Sequence, residues 1–400
     1  YGISSFDRPG LAAVKASITI AKKDLFQGTR LLDNKEVSYI SSRLDDLLVE
    51  KPPLVLVYHG PDFIIGTKIY GEGFVLSSDE LENLHKEDPV SVEVVQIYQT
   101  GIDLNSTPEQ SGTRWVINFA EMTLAEAKQY KWAFNRIETL VKPEREKSTT
   151  GKACSEWWKY ERARSELYKQ IGEKKQVLAK AKTSSTFAFA WVNASSIFSD
   201  GIFVSPRADY SDFAIVSSSI YEQWAYLFCS TLKGDMRFAS SDMYDNFPFP
   251  NEYSCLKVIA QRYDRWRSNL MKLKKEGLTK IYNRFHDPNE TTEDIQKLRE
   301  LHVEMDHAVA SAYGWNDLDL QYGFHETKQG VRFTISESAR REVLQRLLKL
   351  NHERYAEEVQ QGLHDKKKGS KGSNEKKKPP NTSKKEEPTL FDEEGEDDEV

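Results

Sequence analysis

SSSIYEQWAYLFCSTLKGDMRFASSDMYDNFPFP, residues 217–250, is the stretch on which the reading of this chain turns. Its first half is rich in apolar and aromatic residues and reads as a helix. A polar turn at 231–234 follows, and after it come Asp235 and Arg237. Alternate residues of an extended segment point to one side, so an acid and a base share one edge there. The stretch ends in Phe247-Pro248-Phe249-Pro250, where proline stops helix or ladder and two rings are left to pack.

Outward from it, the two flanks differ. Upstream the pattern is mixed. Residues 12–21 alternate as a half-buried strand, and 30–40 reads as a hairpin turning at Asp33-Asn34. Residues 54–59, 93–98 and 113–119 read as strands, and 177–191 has strand character. Gly66, Gly71 and Gly73 mark bends. Ser77-x-x-Glu80 and Thr123-x-x-Glu126 are capping boxes, the second opening a helix to about Val141. Residues 156–171 read as a charged, aromatic helix. Downstream of Pro250 the pattern is helical at 254–275, 294–313 and 336–362, with a small hairpin at 324–335 around Gln329-Gly330. Their apolar stripes read as core. The fold class is therefore α+β. A mixed domain precedes a helical domain and a charged tail from Asp365, which is too poor in apolar residues to offset the entropy of ordering.

Four hundred residues suffice for two or three domains. No run approaches the roughly 18 apolar residues of a membrane helix, and no secretory signal is present. Three dispersed cysteines fit a reducing cytoplasm. The net charge of −6 is unevenly spread. Residues 131–182 carry 14 Lys+Arg against 7 acids, 365–385 carry 9 Lys against 2 acids, and 386–400 carry 9 acids and no base. A phosphate backbone senses charge within about 8 Å, so the first block is a candidate DNA contact.

No catalyst is found. A methyltransferase acting on a base amino group needs an Asn/Asp-Pro-Pro-aromatic turn to hold and stack the flipped base. Pro52-Pro53 lies between Lys51 and Leu54, and Pro379-Pro380 lies in the tail; neither has the flanking residues. A Gly-rich cofactor turn, metal-ligand spacing and a nucleophile–base pair are also missing.

Several blocks, taken in order, carry a family resemblance. They are Arg8-Pro-Gly-Leu-Ala-Ala-Val14, Gly101-Ile-Asp-Leu-Asn105, Arg114-Trp-Val-Ile-Asn-Phe119, Val141-Lys-Pro-Glu-Arg145, Trp157-Trp158, Ser240-Ser-Asp242 to Pro250, Asn283-Arg-Phe-His286 and Tyr313-Gly-Trp315. Over about residues 8–364 the chain resembles the C-terminal part of large adenine-N6 DNA methyltransferases. These are the MmeI-like enzymes of type IIG/IIL restriction–modification and related phage-defence systems. The resemblance implies S-adenosyl-L-methionine as the parent enzyme's cofactor, with the catalytic domain upstream of Tyr1. That makes the chain a fragment, a processed product or the tail of a split enzyme. It further implies a connector at 1–40, a DNA target-recognition domain at 41–250, a helical domain at 251–364 and a disordered tail at 365–400.

The expected partners are double-stranded DNA and a catalytic methyltransferase domain, in the cytoplasm and away from membranes. Lys142, Arg145, Lys159, Arg162 and Lys169 are the candidate phosphate contacts, the last three on one helical stripe; such contacts position without reading sequence. Lys233, Asp235 and Arg237 are the candidate base readers, since Arg bonds guanine O6/N7 and Asp accepts from cytosine N4. A surface salt bridge between Asp235 and Arg237 is the plainer alternative. For the whole chain the alternatives are a non-enzymatic specificity subunit that recruits a separate methylase, or a remnant that no longer binds DNA.

Overall fold

The Ser219–Phe228 helix forms as its sequence dictates. The Ser218 side chain accepts from the Tyr221 backbone N–H, and Ile220, Tyr221, Trp224 and Ala225 fall on a buried face. In this computed structural model, residues 2–7, 15–19, 29–32, 35–37, 40, 52–57, 60, 62–147, 155–232 and 235–364 are described. Lys233, the 8–14 block and the tail from Asp365 lie outside them.

The architecture is α+β. Strands Gly2–Asp7, Lys15–Thr19, Arg30–Leu32 and Lys35–Val37 form one sheet, the last two as the expected antiparallel hairpin. Strands Ala190–Asn193, Gln176–Ala181, Ile202–Ser205 and Ile64–Ile65 make an antiparallel sheet. A second set, Ile197–Phe198, Val95–Gln99, Arg114–Ile117 and Val75–Leu76, is mixed. The C-terminal part consists of the helices Lys257–Lys274, Leu278–Phe285, Glu293–Ala312 and Glu337–Gln360, with the hairpin Gly323–Thr327/Gly330–Thr334.

Two hydrophobic cores result. The smaller gathers Phe74, Val116, Phe134, Ile137, Trp157 and Trp158 among others. The larger joins Phe189, Trp224 and Phe247 to Ile259, Met305 and Leu347. It therefore runs across Pro250, where the sequence placed a boundary between domains. Ring contacts cross that point: Phe213 lies 6.3 Å from Tyr263 and Phe249 lies 6.0 Å from Tyr253, while Phe247 meets Tyr221 at 4.8 Å on the upstream side. Burying each such ring contributes about 1.5–3 kcal/mol. Gly277 brings the helical part against the upstream part, since a Cβ there would lie 2.3 Å from the Ser106 carbonyl carbon.

Several elements differ from expectation. Residues 52–57 form no strand, and a long helix stands in for the missing sheet partner. Asn351 accepts from Leu54 N–H at 2.9 Å and donates to Leu54 C=O at 2.8 Å and Asn246 C=O at 2.7 Å. The Glu358 carboxylate accepts from Val57 N–H at 2.9 Å. The helix opened by Thr123 stops at Ala127, and a separate one runs Lys131–Leu140. Asp88 and Ser91 cap this second helix from about 40 residues away. The helix expected at 156–171 forms only as Ser165–Ile171. Arg164, with φ 56°, interrupts it, because Trp157, Trp158 and Tyr160 are all drawn into the smaller core, which a one-sided surface helix does not allow. The Tyr210–Val216 and Leu278–Phe285 helices were not read from the sequence.

Candidate nucleic-acid interface

A small sheet forms where the sequence suggested a turn at 231–234, with Thr231 and Leu232 in a strand. Ser230–Leu232 pairs antiparallel with Asp235–Arg237, and the latter also pairs with Thr183–Ser184, so it is the central strand. The Phe238 N–H donates to Lys182 C=O at 2.7 Å and extends this ladder. Met236 and Phe238 are buried, while Arg237 is exposed and Asp235 partly so. Pleating therefore puts Asp235 and Arg237 on the same outward side. Neither forms an ion pair with a described residue, so they do not neutralise one another.

Asp235 stands at the edge of an open cleft of about 790 Å³ between the two cores. Lys182 and Ser184 line it on Asp235's side; Lys68, Tyr98 and Arg114 line the other. The Arg114 guanidinium lies 5.9 Å from the Tyr98 ring centre. Burial, followed by the nearby Asp200 carboxylate, pushes the Tyr98 hydroxyl up to about 12, so it stays a protonated donor. Lys182 has no ion-pair partner among the described residues. Sequence reasoning missed Lys68 and Arg114, and held Lys182 only as the last residue of the basic block at 131–182. The wall they share with Asp235 exists only because the two cores pack together. The one local signal was Lys182 at the end of an apolar strand.

The expected phosphate contacts separate into two kinds. Arg145 is corrected to a structural role. It is wholly buried, and its guanidinium donates to Tyr70 C=O at 2.8 and 3.1 Å, Ile69 C=O at 2.6 Å and Lys159 C=O at 2.5 Å. Its ring neighbours are Tyr70 and Phe74, at 5.8 and 5.3 Å. A guanidinium spent on carbonyls inside a core cannot reach a phosphate. The stripe of Lys159, Arg162 and Lys169 does not exist, because the helix does not span them. Lys159 pairs with Glu156 at 2.9 Å and Lys142 with Glu138 at 3.4 Å. Arg162 and Lys169 are exposed, and Arg162 is fixed by a backbone bridge to Lys68.

Pro52-Pro53 forms no open base pocket: His352 Nε2 lies 3.0 Å from Pro52 C=O, and Asn351 holds Leu54. Among the described residues no helix is long and apolar enough to cross a membrane.

Comparison with known proteins is consistent with this geometry. Among curated proteins nothing matches the chain. The structure of the Type IIL restriction-modification enzyme MmeI in complex with DNA is similar, with a TM-score of 0.68 at 18% identity. The likeness covers 89% of this chain and 46% of that one, so the chain spans less than half of that enzyme's length. At this identity the likeness shows a shared fold. The MmeI target recognition domain family matches residues 46–251, just over half of the sequence, and the chain belongs to that family.

Proposed function

We propose that this chain is the DNA sequence-recognition portion of a site-specific adenine-N6 DNA methyltransferase of restriction–modification or phage-defence type. The observation that carries the reading is the outward-facing Asp235 and Arg237, unpaired among the described residues, with Asp235 at the mouth of the cleft. One G·C pair offers guanine O6/N7 to an arginine and cytosine N4 to a carboxylate. Two adjacent side chains of opposite sign therefore read one pair, or two neighbours, in the major groove. Arg162, Lys169 and Lys182 supply phosphate contacts, and Lys142 and Lys159 do so once their glutamate pairs exchange. Lys233, which lies outside the described residues, joins the readers in this proposal.

In this reading the parent's S-adenosyl-L-methionine and its base-flipping turn belong to a catalytic domain upstream. Residues 1–40 connect to that domain, and residues 251–364 brace the recognition part through the common core. The protein works in the cytoplasm, where the host genome is. A non-enzymatic specificity subunit would use the same surface, and the lack of any catalytic turn in this chain accommodates it.

The test is Arg237→Ala in the enzyme reassembled with its catalytic domain. A lost bidentate contact costs about 1–3 kcal/mol. The methylated sites should then relax at one position or disappear. An unchanged methylation pattern overturns the assignment of Arg237.

A further inference from the structure

Beside the cleft, and sharing Ser185 with it, lies a second, more enclosed pocket of about 310 Å³. It is bounded by Phe187, by the Ser219–Phe228 helix, and by the hairpin and long helix of the C-terminal part. Its volume is at the small end of the roughly 300–1,000 Å³ found for ligand sites. None of the candidate DNA-contact residues lines it.

Its lining is chemically mixed and unsatisfied. Glu222, Gln223 and Tyr226 come from one side of the helix. The Glu222 carboxylate feels Arg332, Lys180 and Arg340 electrostatically. Yet it forms no ion pair or hydrogen bond with a described residue, nor do the side chains of Gln223 and Arg332. The charges are thus held apart across the cavity. Thr334 is 4% exposed, and its hydroxyl has no partner among the described residues; Arg340 Nε is buried and also lacks one there. Such orphans ordinarily find a bond. Burial raises Glu222 to about 7 and lowers Lys180 beneath it to about 7. Phe187 and Tyr226, with ring centres 5.9 Å apart, present a tilted aromatic wall.

A carboxyl and an amide side by side suit the edge of a base that carries an amino group. A neighbouring aromatic wall suits its ring. An unpaired guanidinium suits a phosphate. We propose that this pocket binds a single nucleotide whose base bears an exocyclic amino group. Glu222 and Gln223 meet the amino edge, Phe187 and Tyr226 the ring, and Arg332 the phosphate. The nucleotide is either free or extruded from a duplex lying in the adjoining cleft. Only the second source rests on the DNA-recognition reading.

The experiment uses the full chain. AMP, UMP and inorganic phosphate are titrated calorimetrically into wild type and into Arg332→Ala, Gln223→Ala and Glu222→Ala. In parallel, duplexes carrying 2-aminopurine are followed by fluorescence, which rises when the base leaves the stack. A free-nucleotide site predicts AMP binding tighter than UMP or phosphate. It also predicts at least a tenfold loss in Arg332→Ala, and a loss of AMP-over-UMP preference in Glu222→Ala. A site for an extruded nucleotide predicts a fluorescence rise in wild type that Gln223→Ala abolishes, with or without AMP binding. Thermal midpoints show which variants are folded; should Arg332→Ala fail to fold, the two helix variants decide. The proposal is overturned if AMP does not bind at millimolar concentration and no fluorescence rise occurs. It is also overturned if binding is equal for AMP and phosphate, or unchanged in every folded variant. AMP binding does not depend on DNA, so its result stands even where duplex binding fails.

Discussion

Removing the Arg145 side chain separates structural arginines from reading arginines. In Arg145→Ala the carbonyls of Ile69, Tyr70 and Lys159 lose their donor inside the smaller core. Each stripped, buried carbonyl costs about 1–3 kcal/mol, and the contacts to the Tyr70 and Phe74 rings add about 0.5–2 kcal/mol. Relief of the buried charge returns part of this. The expected net loss is about 3–4 kcal/mol, out of a total stability that is typically about 5–15 kcal/mol. Arg145→Lys keeps the charge but not the fork that spans carbonyls on two sides, so it falls between wild type and alanine. Arg237→Ala, at an exposed position, should stay within about 0.5 kcal/mol of wild type. Urea unfolding followed by tryptophan emission reads all three, since Trp157 and Trp158 sit in the affected core. Under folding conditions the DNA affinity of Arg145→Lys should stay near that of wild type. If Arg145→Ala is as stable as wild type while its DNA binding collapses, the side chain reaches outward and the assignment of Arg145 to the core is wrong.

Asn351→Ala should cost about 1–3 kcal/mol, because Leu54 and Asn246 lose their partner; amide hydrogen exchange at 54–57 should speed up with it. The buried His302 is lowered to about 4, chiefly by burial and then by Arg267. Its unfolded form takes up a proton near 6.5 while the native form does not, so its contribution is present above that pH and is lost as pH falls toward 4. Asp306 beside it, raised to about 8 by burial, has the opposite sign, with stability lost as pH rises from the unfolded carboxylate range. Comparing wild type with His302→Gln isolates the histidine. The stability difference, wild type minus variant, should fall by up to about 1.4 kcal/mol per pH unit between 6.5 and 4. A flat difference by urea titration refutes it.

Local chemistry was legible in the sequence and assembled chemistry was not. The capping boxes at Ser77 and Thr123 form as read, because both partners lie within one turn. The Gly323–Thr334 hairpin and the Glu337–Gln360 helix follow from their own turn and cap. Asp235 and Arg237 share a face because alternation is a property of the strand alone. The Lys131–Leu140 helix was misjoined because its caps, Asp88 and Ser91, are remote in sequence. From sequence alone Arg145 reads as a surface cation, because its carbonyl acceptors at 69–70 are about 75 residues away. Charge counting cannot distinguish a solvated arginine from a buried one. The cleft escaped notice for the same reason: its far wall belongs to the other core.

The most direct test of the central claim is selection of randomised duplexes by the purified chain at about 0.15 M salt, where nonspecific phosphate binding is weakened. The account predicts enrichment of a defined site by the wild-type chain. Arg237→Ala should select the same site relaxed at one G·C position. Enrichment of no sequence by the folded wild-type chain, or an identical site for both proteins, contradicts it.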